Sequence, residues 1–151
     1  MANLDDPWLA GDAARRRIVR LGQAAYPPDL RHCPEPPPVL WMAGQVPAAW
    51  PRALAIVGSR NPTPQGRLNA QAFGRSLAQA GLTVVSGLAL GVDGAAHEGA
   101  LDGAAPGQLA TIAVVGTGLD RVYPKQHLPL AHRIAQHGLI LSEYPLGTPP
   151  R

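Results

Sequence analysis

The sequence predicts an α/β fold, a Rossmann-like doubly wound and mainly parallel sheet with helices on both faces. Two observations carry this prediction. Four short runs, residues 54–60, 83–87, 111–118 and 139–143, are apolar at successive positions, as suits strands covered on both sides. The stretches between them have helical spacing and end at glycines, so that strand and helix alternate. Each strand run also ends in Gly, Ser or Thr, and ligands in open sheets of this kind lie beyond the carboxyl ends of the strands.

Before Ala53 the chain is a Pro-, Arg- and Trp-rich lead-in, residues 1–52, expected to pack on the domain formed by residues 53–151. Within the lead-in, residues 15–21 (Arg-Arg-Arg-Ile-Val-Arg-Leu) suit either a short basic helix or an edge strand. The first helix is expected over residues 65–80. Pro62 and Pro64 place its start and Gly81 its end, with Leu68, Ala72, Phe73 and Leu77 facing inward. A second, over residues 90–101, is built of Ala and Gly and should pack closely on the sheet. The third, over residues 126–137, turns Leu128, Ala131, Ile134 and Ala135 inward and stops at Gly138.

At 151 residues the chain has the length of one domain. With 46% hydrophobic and 15% charged residues it falls in the globular class. A net charge of +3 leans toward polyanionic partners. The single Cys33 excludes an internal disulfide framework and a multi-cysteine metal site, in keeping with a reducing cytoplasm. No run reaches the roughly twenty apolar residues that span a bilayer, and the amino end around Asp5 and Asp6 lacks the apolar core of a signal peptide. The expectation is a soluble, cytoplasmic protein.

The sharpest local signal is Gly58-Ser59-Arg60 after the first of these strands. Glycine lets a backbone approach an anion, serine donates, and a guanidinium matches phosphate oxygens in bidentate fashion. The same turn also suits a merely structural arginine. Ser86-Gly87 and Gly116-Thr117-Gly118 repeat the chemistry at the next two strand ends, which favours a shared phosphate rim. It is neither a Walker loop nor the three-glycine dinucleotide fingerprint. Lys125 follows Tyr123-Pro124 and can reach over this rim, and Tyr123 is a candidate to stack an unpaired base, as is Tyr144.

Asp93 and His97, spaced i, i+4 on the second helix, read as a structural pair that anchors the helix to a neighbouring loop. Five histidines without a matching carboxylate or cysteine set point to no metal. Glu143 suits either a nucleotide hydrolase or a partner for a basic rim residue. No catalytic residue and no cofactor is identified, so the reading is a binding protein and not an enzyme. The alternatives are a nucleotide phosphoribohydrolase of similar fold, whose Pro-Gly-Gly-x-Gly-Thr-x-x-Glu motif is absent, and a nucleotide-sensing module.

An ordered set of motifs, Tyr26-Pro27 with residues 36–40, Ile56-Val57-Gly58-Ser59-Arg60, Val85-Ser86-Gly87-Leu88-Ala89 with Gly91-Val92-Asp93 and Ala96-His97, Gly116-Thr117-Gly118-Leu119-Asp120 with Tyr123-Pro124, and Ser142-Glu143-Tyr144-Pro145, resembles the DprA (Smf) family of DNA-processing proteins. The resemblance implies a Rossmann-like fold. It also implies binding of incoming single-stranded DNA in natural transformation, its protection, and the loading of RecA recombinase, with Arg60 and Lys125 contacting DNA phosphates. Longer members continue past Pro149-Pro150 with further strands, which implies that this chain carries the first half of the fold and that the second half supplies the main homodimer surface. With the usual doubly wound order of the four strands, 3-2-1-4, the fourth (residues 139–143) would stand at an open edge and expose Leu139, Ile140 and Leu141.

Overall fold

A computed structural model describes residues 15–150. Asp5, Asp6 and Arg151 lie outside the described residues. In chain order the elements are β1 (Arg16–Arg20), β2 (Val39–Gly44), β3 (Ala53–Ala55), α1 (Pro64–Gln79), β4 (Thr83–Ser86), α2 (Val92–Gly103), β5 (Thr111–Val114), α3 (Leu128–His137) and β6 (Leu139–Ser142). Two 3-10 turns, Asp29–His32 and Lys125–His127, stand in the connections. The fold is α/β, and its six strands form one sheet in the order β1-β2-β6-β5-β4-β3.

The strands β3, β4, β5 and β6 are parallel and adjacent in sequence order, not in the order 3-2-1-4. The far side of β6 is filled by β2, which runs antiparallel to it and carries β1 in turn. The expected open edge at residues 139–143 is therefore corrected. Leu139, Ile140 and Leu141 are all buried, and the edges are β1 and β3. The lead-in supplies the two missing neighbours, so the basic segment around Arg16 and Arg17 is an edge strand and not a helix.

The strand register divides the core into two layers. Val84, Ala113 and Ile140 share the face on which all three α-helices pack, Val84 among Ala78, Ala96 and Ala100 and the other two among Leu130, Ala131 and Ile134. The expectation of helices on both faces is corrected, because right-handed crossovers between strands that advance in one direction put successive helices on one side. On the other face Leu40, Met42, Ile112, Leu139 and Leu141 are covered by Tyr26 and the lead-in's Leu30, Val46 and Trp50. Tyr26 is held there by its hydroxyl, which donates to the Pro37 carbonyl at 2.7 Å. Each fully buried large aliphatic side chain contributes about 1.5–3 kcal/mol.

Helix α1 departs from its expected orientation. Its buried residues are Ala70, Gly74 and Ala78, while Leu68 and Phe73 are 59% and 63% exposed. The reason is close packing on α2. A Cβ on Gly74 would strike the Ala96 carbonyl oxygen, and one on Gly99 or Gly103 would strike the carbonyl oxygens of Gln71 or Arg75. The small residues bring the two backbones into contact, which no large apolar stripe permits. Thr63 caps α1 by accepting the Gly66 N–H at 3.0 Å. The other two helices start two residues later than expected, α2 behind Gly91 and α3 behind the 3-10 turn Lys125–His127.

A buried polar chain ties α2 to the sheet. His97, wholly buried, accepts the Leu88 N–H on Nε2 at 3.2 Å, which leaves the hydrogen on Nδ1 to donate to Thr111 Oγ1 at 2.7 Å. The Thr111 hydroxyl donates onward to the Val84 carbonyl at 2.7 Å. Asp93 accepts the Gly87 N–H at 3.0 Å. Both side chains thus grip the β4–α2 turn, where Leu88 has a φ of 63°.

Burial, with a smaller contribution from His127, lowers the pKa of His97 from 6.5 to about 3. The unfolded chain takes up this proton below its ordinary pKa and the folded chain does not, so stability falls as the pH drops from about 6.5 toward 3, by at most about 1.4 kcal/mol per pH unit from this group. Thermal melts between neutral and acid pH should show this loss, with a shallower dependence in His97→Gln. Parallel curves for the two proteins would contradict the buried neutral imidazole.

Candidate nucleic-acid interface

The candidate phosphate and base contacts singled out in the sequence sit at or beyond the carboxyl ends of the parallel strands. After β3, the Ser59 carbonyl accepts the Val92 N–H at 3.0 Å and the Ser59 Oγ accepts the Asn61 N–H at 3.0 Å. Gly91, at a φ of 85°, lies directly beneath this turn. A Cβ there would strike the Ser59 carbonyl oxygen and stand 2.7 Å from that of Arg60. Gly58 faces the Val92 side chain. The Arg60 side chain is exposed and forms no hydrogen bond or ion pair among the described residues.

The second turn is occupied internally. The buried Ser86 hydroxyl donates to the Ile56 carbonyl at 2.6 Å, and the Gly87 N–H is the one that Asp93 accepts. In the third turn Gly116 is exposed with open space around it, and Thr117 is buried beneath. The Gly118 N–H donates to the Thr148 carbonyl at 3.1 Å, so Gly118 anchors the returning segment.

Ser142, fully buried, links two of these loops. Its hydroxyl donates to the Thr117 carbonyl at 2.7 Å and accepts the Tyr144 N–H at 3.0 Å. The Gly147 N–H donates to Asp120 at 2.9 Å, which folds the segment after β6 back over the third turn.

The result is an open cavity of about 190 Å³ lined by Arg60, Gly116, Thr117, Tyr123, Tyr144 and Pro150. It brings Arg60, Gly116, Thr117 and Tyr123 together. Gly58, Ser59, Ser86, Gly87 and Gly118 support its rim and do not line it. Lys125 is exposed on the 3-10 turn two residues after Tyr123, outside the lining. Tyr123 and Thr117 also border a smaller apolar hollow of about 50 Å³ with Leu88, Val115 and Ile140. A guanidinium beside two phenol rings can hold a phosphate and stack an unpaired base.

Three contributors were not singled out as site residues from the sequence. Pro150 carries no chemical signal, and Ser142 acts on backbone groups, one of them, the Thr117 carbonyl, far away in sequence. His127, counted above only against a metal, donates from Nδ1 to the Leu88 carbonyl at 2.8 Å. Glu143 is exposed and makes no ion pair among the described residues. Among those residues no cluster of three or more His, Cys, Asp or Glu stands ready for a metal, and no helix is long and apolar enough to cross a membrane.

The family model for DNA recombination-mediator protein A matches residues 17–151. Protein Smf of Synechocystis is 43% identical over 134 residues, covering 83% of this chain and 31% of that protein. DNA processing protein DprA of Streptococcus pneumoniae is 35% identical over 147 residues, covering 97% of this chain and 50% of that protein. The chain thus spans about a third to a half of the curated relatives it matches. The X-ray structure of the Streptococcus pneumoniae protein superposes with a TM-score of 0.79 at 36% identity, over 98% of this chain and 50% of that one. A structure of DNA processing protein A from Helicobacter pylori, described for its unique single-stranded DNA binding mode, superposes with a TM-score of 0.75 at 34% identity, over 89% of this chain and 59% of that one. With the ordered motifs, the sheet and the matched length in agreement, this chain belongs to the DNA recombination-mediator protein A family, that of DprA and Smf.

Proposed function

We propose that this chain binds single-stranded DNA without catalysing a reaction on it, gripping the phosphodiester backbone with Arg60 and Lys125 while Tyr123 and Tyr144 receive a base. The observation that carries this reading is the exposed Arg60 guanidinium set against two tyrosines in one open cavity. Fixed cations answer the polymer's phosphates, and aromatic faces accept any base once it is unpaired. Relatives of the same family include a protein described for single-stranded DNA binding, which supports the polymer over a free nucleotide. In this reading the DNA is taken up in transformation in the cytoplasm, shielded, and handed to RecA recombinase. A homodimer is the proposed working form of the whole protein.

Binding of labelled single strands, duplex and mononucleotides by the same sample tests the proposal. Single strands should bind best, with affinity rising with length and falling as salt increases, at a log–log slope of about −0.7 per phosphate neutralised. Equal affinity for mononucleotides would favour a nucleotide-sensing module, and turnover of them a hydrolase.

Arg60→Ala should weaken binding by about ten- to a hundredfold, since it removes charge-assisted hydrogen bonds to phosphate. Lys125→Ala should cost less, because an ammonium acts nearer to a point charge. Both positions are exposed, so thermal stability should move by under about 0.5 kcal/mol. Unchanged affinity in a folded Arg60→Ala protein would return that turn to a structural role.

A further inference from the structure

We infer that His127 is a positioning residue for the phosphate rim, acting through the Leu88 carbonyl. The two peptide groups that flank Leu88 are each held by an imidazole. The Leu88 N–H donates to Nε2 of His97 at 3.2 Å, and the Leu88 carbonyl accepts from Nδ1 of His127 at 2.8 Å. The two histidines come from different elements, α2 and the 3-10 turn that ends in His127, so Leu88 joins two segments otherwise far apart in sequence.

Each loop carries part of the rim. His127 closes the three-residue turn that begins at Lys125, and its own N–H donates to the Pro124 carbonyl at 3.0 Å, beside Tyr123. Leu88 lies in the turn that leads to Gly91 and Val92, on which the Ser59 and Arg60 backbone rests. The polar link from the Lys125 turn to the turn beneath Arg60 is therefore the hydrogen bond from His127, beside the apolar packing of Leu88 on Val122, Leu130 and Ala131. Gly94 leaves room for the ring, since a Cβ there would stand 2.6 Å from Cε1 and 2.9 Å from Nε2 of His127. The left-handed Leu88, at a φ of 63°, is a backbone state that a non-glycine residue keeps only when its surroundings hold it.

Asparagine can place a side-chain N–H near the position of Nδ1, whereas alanine cannot. This inference rests on the single-stranded DNA reading, and its test separates the two. Binding of labelled oligothymidylate is measured for the parent, His127→Ala and His127→Asn, each alone and combined with Arg60→Ala, alongside backbone amide spectra of the DNA-free proteins. His127→Ala should bind about two- to tenfold more weakly, the range expected for one lost hydrogen bond, and His127→Asn should recover most of the loss. In the Arg60→Ala background the further loss should shrink, because positioning an absent guanidinium has no effect. In the spectra, amides of Ser59, Arg60 and residues 87–92 should shift in the alanine variant and return in the asparagine variant. Parental affinity in folded His127→Ala, or fully additive losses with Arg60→Ala, would overturn the role, and so would amide shifts confined to residues 125–128. If the parent itself binds no oligonucleotide, the functional reading falls, and the amide shifts alone decide whether His127 positions the Arg60 turn.

Discussion

The Ser59–Arg60 turn rests on the bare backbone of Gly91, and the geometry of the whole rim descends from that contact. A side chain at Gly91 would collide with the carbonyl oxygens of Ser59 and Arg60, so the start of α2 and the loop after β3 approach as closely as two main chains can. The Val92 N–H then donates to the Ser59 carbonyl. An arginine on a free loop loses much of its binding energy to ordering. One on a turn already fixed from beneath loses less when a phosphate arrives.

What holds Gly91 in place is polar and buried. Asp93 and His97 grip the preceding turn from α2, and Thr111 carries the His97 interaction into the sheet through the Val84 carbonyl. Such a chain is costly if any member is unmatched, and here the tautomer of His97 follows from its two neighbours. On the opposite side of the cavity Ser142 does comparable work for Thr117 and Tyr144. Arg60, Gly116 and Tyr123 are exposed and the groups that orient their loops are buried, the division expected of a preorganised site.

Three of the parallel strands were legible because apolar runs with small-residue ends are local signals, and so were the stops at Gly81 and Gly138, whereas the run at residues 54–60 yields only the exposed edge strand Ala53–Ala55. The inward face of α1 was not. Leu68 and Phe73 have the right spacing for a core, yet the glycines at 74, 99 and 103 admit backbone contact that a count of apolar residues does not register. Strand order was also out of reach, because the neighbour of β6 comes from residues 39–44, almost a hundred positions earlier. Arg60, Tyr123 and the third turn could be picked from residue chemistry. Pro150 and His127 could not, since their roles come from where distant segments return.

In the proposed complex a base of single-stranded DNA enters the cavity between Arg60 and the two tyrosines. Photocrosslinking of an oligothymidylate carrying iodouracil, followed by mass spectrometry of the joined peptides, tests it directly, because the excited base reacts with the aromatic ring against which it lies. Crosslinks should form at Tyr123 or Tyr144 and be lost when salt or unlabelled single strand is added. Crosslinks at the lead-in's Trp41 or Trp50 with none at either tyrosine would contradict it.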